Sequence, residues 1–233
     1  MATSPEPWLR VRLPNESDAY RAARDALLRE EVRLRQHAEE VAALRRELPL
    51  GGKVPEDYVF TEWDDVAETP RAVRLSELFS PGKDTLFLYS FMFIPDDSGD
   101  PVGSPCPSCT SIIDAVSGQA RHVTQRVSLA VSAKAPIRQF RRVAEGRGWR
   151  PIRLLSAGAS TYNRDYLAED ENGAQRPIAN VFVRRDGQIR HFWSSELFFV
   201  PGARHVDFMW PMWGIFDCTP DGRGTDDPKL RYS

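Results

Sequence analysis

Lysine is nearly missing from this chain. Only Lys53, Lys83, Lys134 and Lys229 occur among 31 basic residues, the rest being arginine; we read that excess as genomic bias before function. A net charge of either sign is missing too, since 33 acidic residues offset the basic ones to leave -2. Neither polyanion binding nor an acidic-substrate funnel follows from that balance, so no nucleic-acid partner is expected. Long apolar runs are absent: the most apolar stretch, Thr85 to Ile94, is about half what a membrane-spanning helix requires. The first twenty residues hold Pro5, Pro7 and Pro14 and no apolar segment of the signal-peptide kind. No membrane partner is expected, and a cytoplasmic location is the default. Cysteine is scarce at three in 233 residues, which excludes a disulfide-stapled secreted scaffold. Two of the three stand in a C-x-x-C.

What is present is a 41% hydrophobic, 10% aromatic composition, enough for a substantial core in one domain with extensions. Residues 1–14 lack periodicity and read as an arm. From Asn15, a candidate N-cap, a helix is expected to run to Leu48 before Pro49 and Gly51-Gly52. Leu27, Leu34, Val41 and Leu48 recur at sevens on it. Such a helix either lies on its own domain or pairs with a second copy of the chain, a possible homodimer. Short strands follow at Tyr58–Phe60 and Ala72–Leu75. Thr85–Phe93 reads as a central strand covered on both faces. A loop with Asp96, Asp97 and Asp100 leads to Cys106-Pro107-Ser108-Cys109 and a helix to Arg126. Val127–Ser132 and Ile152–Leu155 read as strands, with a helix opened by Pro136 between them. Ala157–Arg176 is polar and mostly loop. Ile178–Arg185 and Gln188–Ser194 form a hairpin around Asp186-Gly187. The predicted organisation is residues 1–50 as arm and long helix, 51–220 as an α/β domain, and 221–233 as a polar tail.

The C-x-x-C carries the chemistry. A cysteine at a helix N-terminus faces unpaired N–H groups and the positive end of the helix dipole, both of which favour thiolate. Proline immediately after it costs no hydrogen bond at the first helical position. A cysteine three residues on is one turn away. Cys106 is therefore expected to attack a disulfide and Cys109 to resolve the mixed disulfide, with Pro107 and Ser108 against the substrate. Negative charge from the aspartate loop would oppose thiolate formation if the loop folded over Cys106. If solvated, its effect is screened. Other readings are open at this level. Cys106 and Cys109 could join Cys218 and His191 or His205 in a metal site, or the cysteines could be inert in a binding module.

The order of strand, C-x-x-C, helix, strand, helix and hairpin is the thioredoxin arrangement. Further pieces are Asp57-Tyr58-Val59-Phe60, Phe91-Met92-Phe93, Gly148-Trp149-Arg150, Val181-Phe182, Arg185-Asp186-Gly187, Thr219-Pro220 and Gly222-Arg223. With these the chain resembles, over most of residues 15–224, a bacterial family of uncharacterised thioredoxin-like proteins. The resemblance implies a thioredoxin-like fold, a central mixed sheet flanked by helices with a long N-terminal helix extension. It also implies a dithiol–disulfide oxidoreductase role, and the C-x-x-C chemistry itself leads us to expect no cofactor, a protein or small-molecule thiol or disulfide substrate and an external thiol reductant. Thioredoxins carry a cis-proline where Pro177 stands, presenting backbone to the substrate; the alternative is an ordinary strand-entry proline. Peroxiredoxins share the fold, but their Pro-x-x-x-Thr/Ser-x-x-Cys places Gly103 and Gly99, or Cys106 and Val102, at the required positions. Neither register matches. Cys218 reads as a buried small hydrophobe, His122 as a surface residue and His191 as a structural hydrogen-bonding group. The aromatic cluster from Phe208 to Phe216 reads as core, or as a groove beside Cys106.

Overall fold

The computed structural model describes residues 12–94, 103–201, 206–224 and 228–230. The chain divides into two compact units, Met1–Pro49 and Leu50–Ser233. In the first, α1 (Asp18–Arg46) begins at Ser17, whose hydroxyl accepts from the Tyr20 N–H at 3.1 Å. The cap is thus two residues beyond Asn15, which adopts a left-handed φ of 58° and turns the chain into the helix. Arg21 is buried between Glu16 and Asp25, and Arg24 also meets Glu16, at 3.0 Å.

In the second unit, Val59–Asp64 (β1) and Thr69–Arg74 (β2) form a hairpin, followed by a 3-10 turn at Leu75–Leu78. The apolar run then forms β3 (Thr85–Phe91), with Tyr89, Ser90 and Phe91 all buried. The expected strand stops short at Phe91, because Phe93–Ile94 (β4) leaves the sheet to pair with Ser104–Pro105 (β5). Helix α2 (Pro107–Val123), β6 (Ser128–Ala133), α3 (Ile137–Arg147) and β7 (Arg153–Ser156) follow. Gly148 ends α3 in the left-handed region, φ 70°. The polar stretch contains one short helix, α4 (Tyr162–Asp165). Ile178–Arg185 (β8) and Gln188–Ser194 (β9) form the hairpin with the expected bounds. Asp186 and Gly187, at φ 51° and 73°, occupy the two positive-φ positions that a tight hairpin turn demands. A last helix is α5 (Pro211–Phe216).

One sheet of seven strands runs β2-β1-β7-β6-β3-β8-β9. β6 lies parallel to β3 and β7 parallel to β6, whereas β8 and β9 are antiparallel. Alternation along β3 divides two cores. Tyr89 and Phe91 join Cys109, Ile112, Ile113, Phe140 and Trp149. Leu86 and Leu88 join Tyr58, Phe60, Leu155, Tyr162 and Phe182 on the opposite face. This is a thioredoxin-like α/β fold with an added β1–β2 hairpin at one edge.

Two sites on the β1 and β9 side rest on contacts that no pattern in the chain announces. Glu62 is buried and receives Arg153 at 2.6 and 3.0 Å and Arg71 at 2.5 Å. Replacing Glu62 with alanine leaves Arg153 with the Glu77 carbonyl and Arg71 with Asp64, and removes the buried carboxylate that both arginines share. The expected loss is about 2–3 kcal/mol, below the range for fully buried pairs because both arginines reach solvent; urea unfolding measures it. At Gly51 a Cβ would stand 2.7 Å from the His191 carbonyl oxygen. Its own N–H donates to that oxygen at 3.0 Å, so only glycine admits this approach.

Candidate functional site

Cys106 is the N-cap of α2, with extended backbone (φ -62°, ψ 123°), and Pro107 is the first helical residue. The geometry is the one in which proline fits without losing a bond. Two contacts hold the cap: the Cys106 N–H donates to the Met92 carbonyl at 3.1 Å, and its carbonyl accepts from the Thr110 N–H at 2.9 Å. The Thr110 hydroxyl adds a second bond to that carbonyl at 2.8 Å. The segment between β4 and β5, with Asp96, Asp97 and Asp100, lies outside the described residues.

All three cysteines are thiols. Cys106 is half-buried, while Cys109, one turn into α2, is 1% exposed. The two are hydrogen-bonded to one another, and that bond, followed by burial, holds the Cys109 pKa well above the usual thiol range. Two donors act in the opposite direction on the Cys109 sulfur, the Tyr89 hydroxyl and the Met92 N–H. Pro107 is exposed and Ser108 half-buried.

Pro177 follows the second of its two readings. The Arg176–Pro177 bond is trans, and the cis bond among the described residues is Arg150–Pro151. Arg176 donates its N–H to Ala168 at 2.8 Å, and the chain enters β8 extended, in the manner of an ordinary strand-entry proline. Pro177 is buried, one residue beyond the last β3–β8 pair, Ser90–Ile178. That register sets it level with Phe91.

Cys218 is exposed after α5, its thiol donating to the Gly214 carbonyl at 3.3 Å. The expectation of a buried hydrophobe fails because the chain behind α5 runs in surface turns. His191 lies on the far side of the sheet from Cys109. It is stacked on Tyr166 at 5.6 Å, with Nε2 3.2 Å from the side-chain oxygen Oδ1 of Asn180. Cys218 and His191 are therefore not gathered with Cys106 and Cys109, and no group of three or more possible ligands forms among the described residues. His205 lies outside them. His122 is exposed on α2, as expected.

His191 is the structural group foreseen. Burial lowers its pKa, with Glu196 opposing. Below the unfolded value of about 6.5, the unfolded chain takes up a proton that the folded site refuses. Stability should accordingly fall as pH drops through that value, and level once the folded imidazole also protonates. His191→Gln should flatten the difference in stability between pH 7 and pH 5, read by urea unfolding at each pH.

The aromatic segment divides its residues between core and surface. Met209 is buried and Trp210 packs on the cysteine-side core, donating Nε1–H to the Ser111 hydroxyl at 3.0 Å. Phe208 and Ile215 are 59% and 64% exposed, too open for core. An apolar cleft of about 220 Å³ between this segment and α2 is lined by Phe87, Val116, Val123, Phe208 and Met209. Its α2 residues begin at Ala115, further along the helix than the cysteines.

Asp114 is a fastening point that sequence reading passed over. It accepts the Trp149 indole N–H at 2.7 Å and is paired with Arg147, tying α2 to the end of α3. Tyr89 was passed over as one apolar residue among many in β3. Its only signal was the parity that places it on the Cys109 face.

No helix among the described residues is long and apolar enough to cross a membrane. The chain matches no curated protein. Among solved structures it is similar to peroxidoxin BcpB from Mycobacterium tuberculosis at 22% identity, over 64% of this chain and 85% of that one, TM-score 0.42. It is also similar to reduced Prx3 from Vibrio vulnificus, at 14% identity over 68% and 92%, TM-score 0.47. PrxQ from Xylella fastidiosa matches at 8% identity over 71% and 93%, TM-score 0.44. Over residues 11–232 the chain matches one family, described as bacterial protein of unknown function, DUF899, and it belongs to that family.

Proposed function

We propose that this protein is a thiol–disulfide oxidoreductase in which Cys106 is the nucleophile and Cys109 the resolving thiol. The observation that carries the reading is the asymmetry of the pair. Cys106 caps α2 and is half-buried, whereas Cys109 is 1% exposed and hydrogen-bonded to Cys106. With the proton held on Cys109, charge falls on the sulfur that substrate can reach, at the helix end that favours it. Pro107 and Ser108 would border the substrate. Pro177, trans and buried, would act by packing beside Phe91 rather than by offering backbone.

The cycle balances as follows. Cys106 thiolate attacks one sulfur of a disulfide, forming a mixed disulfide and expelling the other sulfur as thiolate. Cys109 loses its proton to solvent and attacks Cys106, closing the Cys106–Cys109 disulfide and releasing the second thiolate. An external thiol reductant returns two electrons, and one proton is taken back on Cys109, which restores the Cys106 thiolate and the Cys109 thiol. Substrate is a thiol or disulfide of a protein or small molecule.

The test is thiol counting with and without reductant, combined with insulin-disulfide reduction and hydrogen peroxide consumption by the whole chain. The proposal expects a reversible two-thiol change and insulin turnover, with Cys109→Ser accumulating mixed disulfide at Cys106. Two thiols that never oxidise would leave a binding module with inert cysteines. Peroxide consumption faster than disulfide exchange would make the protein a peroxidase instead.

A further inference from the structure

Tyr89 stands behind the pair with a hydroxyl that meets no polar group except the cysteine sulfurs. It is 0% exposed in the middle of β3, between β6 and β8, where Ala179 is its cross-strand partner. Its ring belongs to the cysteine-side core. Its oxygen reaches no atom with full hydrogen-bond geometry. An orphaned buried hydroxyl is costly, and phenylalanine would fill the same space without that cost. The polar groups that this hydroxyl faces are Cys109 and then Cys106.

We propose that Tyr89 is the donor that stabilises the Cys109 thiolate during resolution of the mixed disulfide. The inference rests on the dithiol reading above and goes beyond it by naming what makes a sulfur this buried ionise. A neutral thiol is a poor acceptor, so the hydroxyl contact gains little in the resting pair. Once Cys106 is joined to substrate, its sulfur no longer holds the Cys109 proton through a negative charge. Cys109 must then carry charge in a site with almost no water contact. A hydroxyl donor strengthens as its acceptor becomes anionic. The Met92 N–H, the other donor acting on this sulfur, completes a two-point cradle. Tyr89 keeps its own proton throughout: burial and the adjacent sulfurs hold its pKa well above the usual phenol range, so it donates and does not act as a base. The Cys109 proton leaves to solvent.

The experiment uses the full chain carrying Cys218→Ser, because Cys218 is exposed and would react with the probe. Reduced protein is mixed with 5,5′-dithiobis(2-nitrobenzoate), and the coloured thiolate is followed through two releases. The first reports attack by Cys106 and depends on probe concentration; the second reports resolution by Cys109 and does not. Tyr89→Phe is expected to leave the first release unchanged and to slow the second by about ten- to a hundredfold, the span of a hydrogen bond to a charged group. The Cys106 mixed disulfide should persist over the same period by mass spectrometry, and the melting temperature should hold or rise. A second release at the parent rate, or slowing confined to the first, would overturn the assignment. So would a clear drop in melting temperature, which would make the hydroxyl part of the packing. A parent protein that releases nothing from Cys106 would remove the dithiol reading itself, and the role of Tyr89 with it.

Discussion

Replacing Cys106 with serine is expected to lower insulin-disulfide turnover by at least about 10³-fold, the order of loss when a nucleophile is taken from a set of groups acting together. A serine hydroxyl has the same shape but stays protonated at neutral pH, so nothing at the N-cap can attack a disulfide. Folding should barely change, because serine is a favoured N-cap and Cys106 makes no side-chain capping bond. Cys109 cannot substitute for it. It is 1% exposed, and a substrate disulfide cannot reach it without opening α2. The expected pattern is an inactive, fully folded variant whose remaining pair thiol resists iodoacetamide until denaturant is added. Turnover within tenfold of the parent would place the chemistry elsewhere in the chain.

The largest effect on stability should come from Phe140→Ala. Phe140 is 0% exposed on the inner face of α3. Its ring lies 5.5 Å from Phe91, 6.1 Å from Phe93 and 6.5 Å from Trp149. Those three come from β3, β4 and the chain after α3, so removing the ring opens a cavity with walls fixed by separate elements. Walls so fixed collapse poorly, and the loss should lie near 3–5 kcal/mol. For a chain of this length that corresponds to a fall in melting temperature of about 10 °C. Phe208→Ala is the control: at 59% exposure it should cost less than about 0.5 kcal/mol. Equal losses at the two positions would mean that the cysteine-side core is not organised around Phe140.

These two positions also separate what was legible from what was not. Phe140 was visible in advance, since Ile137, Phe140 and Val143 repeat on one helical face and all three are buried. The same holds for the β8–β9 hairpin, where a turn dipeptide with two left-handed residues settles register and bounds together. Tyr162 had no such signal. It is 0% exposed and meets Tyr58, Phe60, Tyr166 and Phe182 at 5.2–6.2 Å. Yet it sits on a four-residue helix, too short for any periodicity, inside a polar stretch that read as loop. The reading of Cys218 failed, and that of Pro177 stayed open between two isomers, for a related reason. A cysteine is buried or exposed according to what packs over it, and a proline's isomer according to how neighbouring chain constrains it. Neither is a property of adjacent residues.

Local and periodic features were already written in the chain: the strand–helix alternation, the hairpin turn, the proline and helix start after Cys106, and the one-turn spacing to Cys109. Backbone sterics and side-chain periodicity act over a few residues, which is why those features can be read there. Assembly was needed to make Cys106 and Cys109 unequal, to draw Arg71 and Arg153 onto Glu62, and to leave the Tyr89 hydroxyl facing sulfur. Burial and electrostatics depend on which distant segments share one small volume, and β3, α2 and β8 come together only when the sheet is formed.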